Sequence, residues 1–376
     1  MPALGSESSR GPTPRTFTLA CLGDVMIAGS ALEALRRMGA QSMTSRLWGA
    51  VSGADAVLAN LESPVTDAPL VKQDKRYNFK CPDEVLSLFD SRFVLGLANN
   101  HIMDYGERGL LDTIAALDKR GLPHAGAGRN LDEARRPAVL ERAGAVLGVI
   151  CAADPRFQAA TRASAGTCPA APGLLRESLR DLKRRAVVMA ISIHIGQEFL
   201  PVPSPRQMQL AELCLEEGAC VVSFHHAHCV SGFRRYESGV VFFGMGNYVF
   251  PRGDTPRLYT GWRESAAWLV TTEGSNQTIQ RVAIVPVLLD EDGLPCEPSA
   301  DHSRAILDKI SRNSRRIASG RKLRLWRVQK MMSPVYLWMN IVNYVDIARR
   351  RGMRASLQTL AEGVEALLPA GKDRNG

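Results

Sequence analysis

No Cys-x-x-C pair occurs in this chain, although it has eight cysteines. That spacing serves zinc ribbons and thioredoxin-like redox centres, so neither class fits. Cys21, Cys151 and Cys220 lie in or beside apolar runs and read as small buried hydrophobes. No uncharged apolar run reaches the roughly 18 residues that a membrane-spanning helix needs. Residues 1–15 are rich in Ser, Pro, Gly and Arg and lack the apolar stretch of a secretory signal, so they read as a flexible leader. Reduced thiols and a cytoplasmic location are the expectation. No repeat at a solenoid period is found. Gly126-Ala-Gly128 lacks the third glycine of a dinucleotide-binding turn and reads as a loop before a helix over 131–135.

Charge is present but unevenly placed. Of the net +9, residues 303–354 carry +12, from 14 Lys/Arg against Asp308 and Asp346, which leaves −3 for everything else. Its basic residues interleave with Leu323, Leu325, Trp326 and Val328 and then flank an apolar stretch over 331–345 that contains Tyr336, Trp338 and Tyr344, and Pro334 breaks the segment in two. It is expected to form a basic, aromatic helical extension over 301–370, followed by a frayed tail over 371–376. It could pack on the domain as an amphipathic pair or attach peripherally to an anionic membrane at the inner face. Nucleic acid is disfavoured, because no binding motif is present and the body is not basic.

Short β-branched apolar runs alternate with helical patterns through residue 239. Strands are expected over 16–26, 54–60, 93–98 and 145–151, with two more ending at His194 and His225. Helices are expected over 30–38, 110–120, 131–135 and 207–217. Such alternation means an α/β architecture. After Gly239 the runs 240–243, 266–272 and 279–289 read as strands without crossover helices. They suggest a second, partly antiparallel sheet, with the domain spanning 16–300.

Polar groups of one kind recur where these strands end: Asp24, Asn60 with Glu62, Asn100 with His101, His194 with Glu198, and His226 with His228. Four of the seven histidines lie between 194 and 228. Open α/β sheets put their chemistry at the carboxyl ends of strands. The inventory suits a two-metal hydrolase, in which carboxylates and imidazoles hold the ions and another histidine handles protons. Each piece alone has a plainer reading: Gly23-Asp24 as a turn, His194 as a core histidine. Lys75 and Arg76 belong to a basic, aromatic stretch over 72–80 that is either a solvated loop or a clamp on an anionic group.

Taken in order, several motifs resemble the CapA family of poly-γ-glutamate capsule biosynthesis proteins, relatives of the calcineurin-like metallophosphoesterases. They are Gly23-Asp24, Asn60-Leu-Glu62, Ala98-Asn-Asn-His101 with Asp104-Tyr-Gly106, and Gly126-Ala-Gly128, then His194-x-Gly-x-Glu198, His225-His-x-His228 and Gly246-Asn247-Tyr-Val-Phe250. The resemblance implies a metallo-dependent phosphatase-like sandwich of two mixed sheets flanked by helices. It implies one or two divalent ions, among which Mn, Zn, Fe and Mg are not distinguished. Asp24, Glu62, Asn100, His194, His226 and His228 look like the ligands. His101 looks like the general acid and Asp104 like its orienting partner. Asn60, Glu198 and His225 would stand behind the ligands, and Asn247 would shape the pocket floor. The implied function is hydrolysis of a phosphoester or amide bond, on an anionic polymer or a phosphorylated small molecule. The alternative is a non-catalytic assembly factor for a membrane-associated polymer synthase. The sequence departs from the pattern at Met26, where most metallophosphoesterases carry the histidine of Asp-x-His, and at Ile195, Phe224 and Ala227. Phe224 stands where a glycine is usual, which puts the backbone there in question.

Overall fold

The computed structural model describes residues 16–69, 77–251, 260–273 and 277–319. The leader, Lys75, Arg76 and everything after Ser319 lie outside the described residues.

The first sheet begins with four parallel strands: β1 (Thr16–Val25), β2 (Ala56–Leu61), β3 (Phe93–Gly96) and β4 (His124–Ala125). A two-stranded ribbon pairs β5 (Ala127–Gly128) with β8 (Gly166–Thr167). The second sheet starts with the hairpin of β6 (Ala138–Arg142) and β7 (Ala145–Ala153). It continues in parallel through β9 (Val188–His194), β10 (Val221–His225) and β12 (Val240–Phe242), and closes with antiparallel β11 (Phe233–Arg235). The chain then returns to the first sheet. Here β13 (Asn247–Val249) runs parallel to the end of β1, while β14 (Glu264–Glu273), β15 (Ile279–Leu289) and β16 (Pro295–Cys296) extend it antiparallel. Eight strands thus make one sheet and six the other.

The strands after Gly239 therefore do not form a sheet of their own, as their run without helices suggested. They divide: β12 completes the second sheet, and β14 takes the edge of β1 that β2 leaves open. Register explains the fit. Trp268 stands opposite Cys21, and Ala266, Trp268 and Val270 face the space between the sheets.

Burial on both faces accounts for the continuous apolar runs of the central strands. Along β1, Phe17, Leu19 and Cys21 turn toward the second sheet, and Ala20 and Leu22 turn outward. The inter-sheet core joins them to Val149, Ala190, Val221, Phe242 and Trp268. Helices α1 (Gly29–Met38), α2 (Ala40–Trp48) and α3 (Gly106–Lys119) cover the outer face of the first sheet through Leu35, Leu47, Leu110, Ile114 and Leu117. After the single turn of α4 (Leu131–Ala134), α5 (Pro172–Lys183) and α6 (Pro205–Glu216) cover the second sheet through Leu175, Leu179, Leu210 and Cys214. The chain is a sandwich of two mixed sheets flanked by helices. Helix α7 (Ala300–Ala318), which opens the segment expected to form a basic helical extension, adds Ile306 and Ile310 to the inter-sheet core. All eight cysteines are free and seven are buried, Cys21, Cys151 and Cys220 among them. Among the described residues, no helix is long and apolar enough to cross a membrane.

Candidate functional site

Asp24 is aimed by an irregularity in its own strand. The pairing of β1 with β2 shifts register between Cys21 and Asp24, and such a bulge turns the following side chain out of the regular alternation. Gly23 permits this. A Cβ there would stand 2.1 Å from the Gly246 carbonyl oxygen, the atom that accepts from the Asp24 N–H at 3.1 Å. The glycine before the aspartate is thus a close-packing requirement rather than a free turn.

Around Asp24 the first sheet contributes amides and a second carboxylate. Asn60 donates from Nδ2 to Asp24 Oδ1 at 2.8 Å and lies 3.2 Å from His194 Nδ1. Asn99 Nδ2 donates to Asn60 Oδ1 and to the Leu61 carbonyl. Asn99 Oδ1 accepts the backbone N–H groups of His101 and Ile102, so one side chain folds the loop that carries Asn100 and His101. Glu62 is fully buried. Its Oε1 is 3.4 Å from His194 Nε2 and 3.9 Å from His228 Nε2.

The second sheet contributes imidazoles. His194 ends β9, and its Nε2 is 2.8 Å from Asn100 Oδ1. His225 ends β10, and its Nδ1 meets Asp24 Oδ1 at 2.9 Å, so it braces that carboxylate. The chain then turns through left-handed conformations at His226 (φ 80°) and His228 (φ 49°). Both are costly for a non-glycine residue, and such strain gathers at functional sites. Phe224, where a glycine was usual, is an ordinary buried strand residue stacked on Phe243. His228 Nδ1 lies 2.8 Å from Asn247 Oδ1 and 3.2 Å from Asp24 Oδ2. Asn247 therefore orients His228. Met26 packs with Phe250 and Leu289, away from any ligand role.

Electrostatics divides the imidazoles. Burial pushes His226 down to about 3, with His228 adding to the effect. Burial, then His226, holds His194 well below its ordinary value. Burial also works against charge on His228, but Glu62 and Asp24 outweigh it and lift that group to about 10. For Asp24, burial favours the neutral acid, yet hydrogen bonds and charge from His225 and His228 hold the carboxyl well below the usual range.

At the edge of the cluster His101 Nδ1 lies 2.7 Å from Asp104 Oδ2, which also accepts the Phe79 N–H at 2.8 Å. Asp104 is fully buried, and the Phe79 ring stands edge-on to His101 at 4.9 Å. His101 is near enough to depress His226 electrostatically.

The donor set suits a divalent cation. Asp24, Glu62 and His228 can bring one ligand atom each within 4.8 Å of one another, and so can Glu198, His226 and His228. Nδ1 of His226 is buried without a hydrogen-bond partner among the described residues, a state that costs free energy unless something takes its lone pair. Carboxylate and imidazole donors match Mn, Zn, Fe or Mg rather than a soft ion.

The model of the family described as bacterial capsule synthesis protein PGA_cap matches residues 18–252. The chain belongs to this family. PGA biosynthesis protein CapA of Bacillus subtilis (strain 168) is 30% identical over 301 residues, 78% of this chain and 77% of that protein. Capsule biosynthesis protein CapA of Bacillus anthracis is 30% identical over 64% of this chain and 61% of its own length. Among solved structures, a putative 5'-nucleotidase from Staphylococcus aureus aligns with a TM-score of 0.44 at 14% identity, over 79% of this chain and 58% of that one. Calcineurin-like phosphoesterase YfkN from Bacillus subtilis aligns with a TM-score of 0.39 at 12% identity, over 81% and 98%.

In this PGA_cap chain the predicted site residues within the described range gather in one cluster, and Lys75 and Arg76 lie outside that range. Asn99 and Asp154 were missed. Asp154 follows β7, donates its N–H to the His194 carbonyl and holds Arg156 through paired contacts. As a carboxylate just past a strand end, it carried the same signal as the others. Phe157, Phe199 and Phe250 wall the imidazoles, with ring centroids 4.9 Å from His226, 6.0 Å from His228 and 4.9 Å from His228 in turn. Nothing in their spacing announces that role.

Proposed function

We propose that this chain is a metal-dependent hydrolase of capsule or related envelope polymer biosynthesis, acting on a phosphoester or amide bond. The observation that carries the reading is the buried His101–Asp104 pair beside a carboxylate and imidazole cluster. Asp24, Glu62, Asn100, His194, His226 and His228 would hold one or two divalent ions. Bound there, the ions would supply Lewis acidity, polarising the scissile group and making water nucleophilic at neutral pH. Asp104 takes Nδ1 of His101, which makes Nε2 the nitrogen that passes a proton to the leaving oxygen or nitrogen. Asn60 and Asn247 fix Asp24 and His228. Phe157, Phe199 and Phe250 limit water around the imidazoles, which strengthens every charge interaction inside.

A second reading, a non-catalytic factor assisting a polymer synthase, draws on mycobacterial relatives named probable polyglutamine synthesis accessory protein, 30% identical over 52% of this chain. In both readings the substrate or cargo is anionic and the chain works in the cytoplasm, with the basic segment after Ser319 against an anionic membrane face.

The test is hydrolysis of bis(p-nitrophenyl) phosphate and γ-glutamyl-p-nitroanilide with added Mn²⁺. Activity that chelator abolishes, and that His101→Asn lowers by about 10²–10⁴-fold with metal content unchanged, is the expected result. Metal-loaded protein inert on both probes, with His101→Asn indistinguishable from it, favours the assembly factor.

A further inference from the structure

We propose that Glu198 is a direct ligand of a divalent cation held by His226 and His228. The inference deepens the metal reading above, since it names a ligand that reading leaves out. Three observations carry it. Glu198, His226 and His228 can each bring a ligand atom within 4.8 Å of the other two. Their loops are tied together: the Phe199 N–H donates to the Ala227 carbonyl at 2.7 Å, which fixes Glu198 beside the His-x-His turn. The tie joins two strained segments, with Phe199 at φ 58° on one side, and His226 at φ 80° and His228 at φ 49° on the other. Such a loop pair keeps an unfavourable backbone in order to present particular side chains.

The third observation points to the ligand itself. His226 is 8% exposed, and its Nδ1 has no hydrogen-bond partner among the described residues. A buried lone pair between a carboxylate and a second imidazole is a place for a cation. Charge explains why a carboxylate belongs there. Two neutral imidazoles bring no negative charge to a dication, and neither Asp24 nor Glu62 belongs to the His226 group. Glu198 brings it. A carboxylate that only oriented an imidazole would leave that ion on neutral donors beside the rings of Phe157 and Phe199.

Cobalt absorption spectroscopy of Glu198→Cys separates a ligand from an orienting group. A thiolate gives a charge-transfer band with Co²⁺ only when sulfur binds the ion. Native cysteines are controlled by the wild type, in which seven of eight are buried. The expected result is cobalt d–d bands in the wild type and a new, stoichiometric ultraviolet band in Glu198→Cys. A variant that binds Co²⁺ with wild-type d–d bands and no new band overturns the inference and leaves the broader metal reading standing. A wild type that takes up no Co²⁺ overturns both. Should Glu198→Cys not fold, cobalt-soaked wild-type crystals decide. An anomalous peak at roughly 2.2 Å from the Glu198 carboxylate supports the assignment. Peaks confined to Asp24, Glu62 and the other imidazoles overturn it.

Discussion

His226 and His228 are two positions apart and are driven in opposite directions. Burial keeps His226 neutral down to about pH 3, while Glu62 and Asp24 keep His228 charged up to about pH 10. The signs give the pH dependence of the metal-free protein. As pH falls from the ordinary imidazole value near 6.5 toward 3, the unfolded chain takes a proton at His226 that the folded chain refuses, so stability falls. The stabilisation from His228 is complete below about 6.5 and is lost as pH rises toward 10. Metal binding at neutral pH should therefore release about one proton, from His228 and not from His226. Calorimetry in buffers of different ionisation enthalpy reads that number, and a value near zero would show that His228 is neutral before the ion arrives. At this scale the sequence was informative about which polar groups gather, because carboxylates and imidazoles past apolar runs mark a sheet edge. It was silent on which histidine is charged, which depends on neighbours more than 100 residues away, and on Asn99, whose role is a loop hydrogen bond.

The bulge in β1 shows how an element, rather than a residue type, makes the site. Without the register shift before Asp24, the alternation of Phe17, Leu19 and Cys21 would continue and the carboxylate would not meet Asn60 and His225. Gly23→Ala forces a Cβ against the Gly246 carbonyl, so β13 must move. A loss of about 1–3 kcal/mol in urea denaturation, with weakened metal binding, is expected. Unchanged stability and metal affinity would mean that the approach of β1 to Gly246 is not needed. Most elements were readable from the sequence, since runs buried on both faces are long and apolar. The pairing of β14 was not. Which open edge a late strand takes is settled by register and by Trp268 filling the inter-sheet space, neither of which is local to that strand.

At the scale of the whole molecule, the sheets hold opposite halves of the cluster: Asp24, Asn60 and Glu62 on one, and His194, His225, His226 and His228 on the other. An ion bound between them would be a cross-link, and at a hundredfold excess over its Kd it would add about 2.7 kcal/mol to folding stability. Thermal unfolding should shift up with Mn²⁺ and return with chelator, while a midpoint insensitive to both would count against the cross-link. The basic segment is tested separately, by flotation with anionic liposomes at low salt. The full chain should float and a truncation after Ser319, which keeps the core residues Ile306 and Ile310 of α7, should not. Equal behaviour of the two would assign the segment another task. The proposed hydrolase needs divalent metal in this cluster, and anomalous diffraction from crystals of the full chain grown with Mn²⁺ would locate it. A strong peak within ligand distance of Asp24, Glu62 and His228 is the predicted result, and saturating Mn²⁺ with no peak among these residues would contradict it.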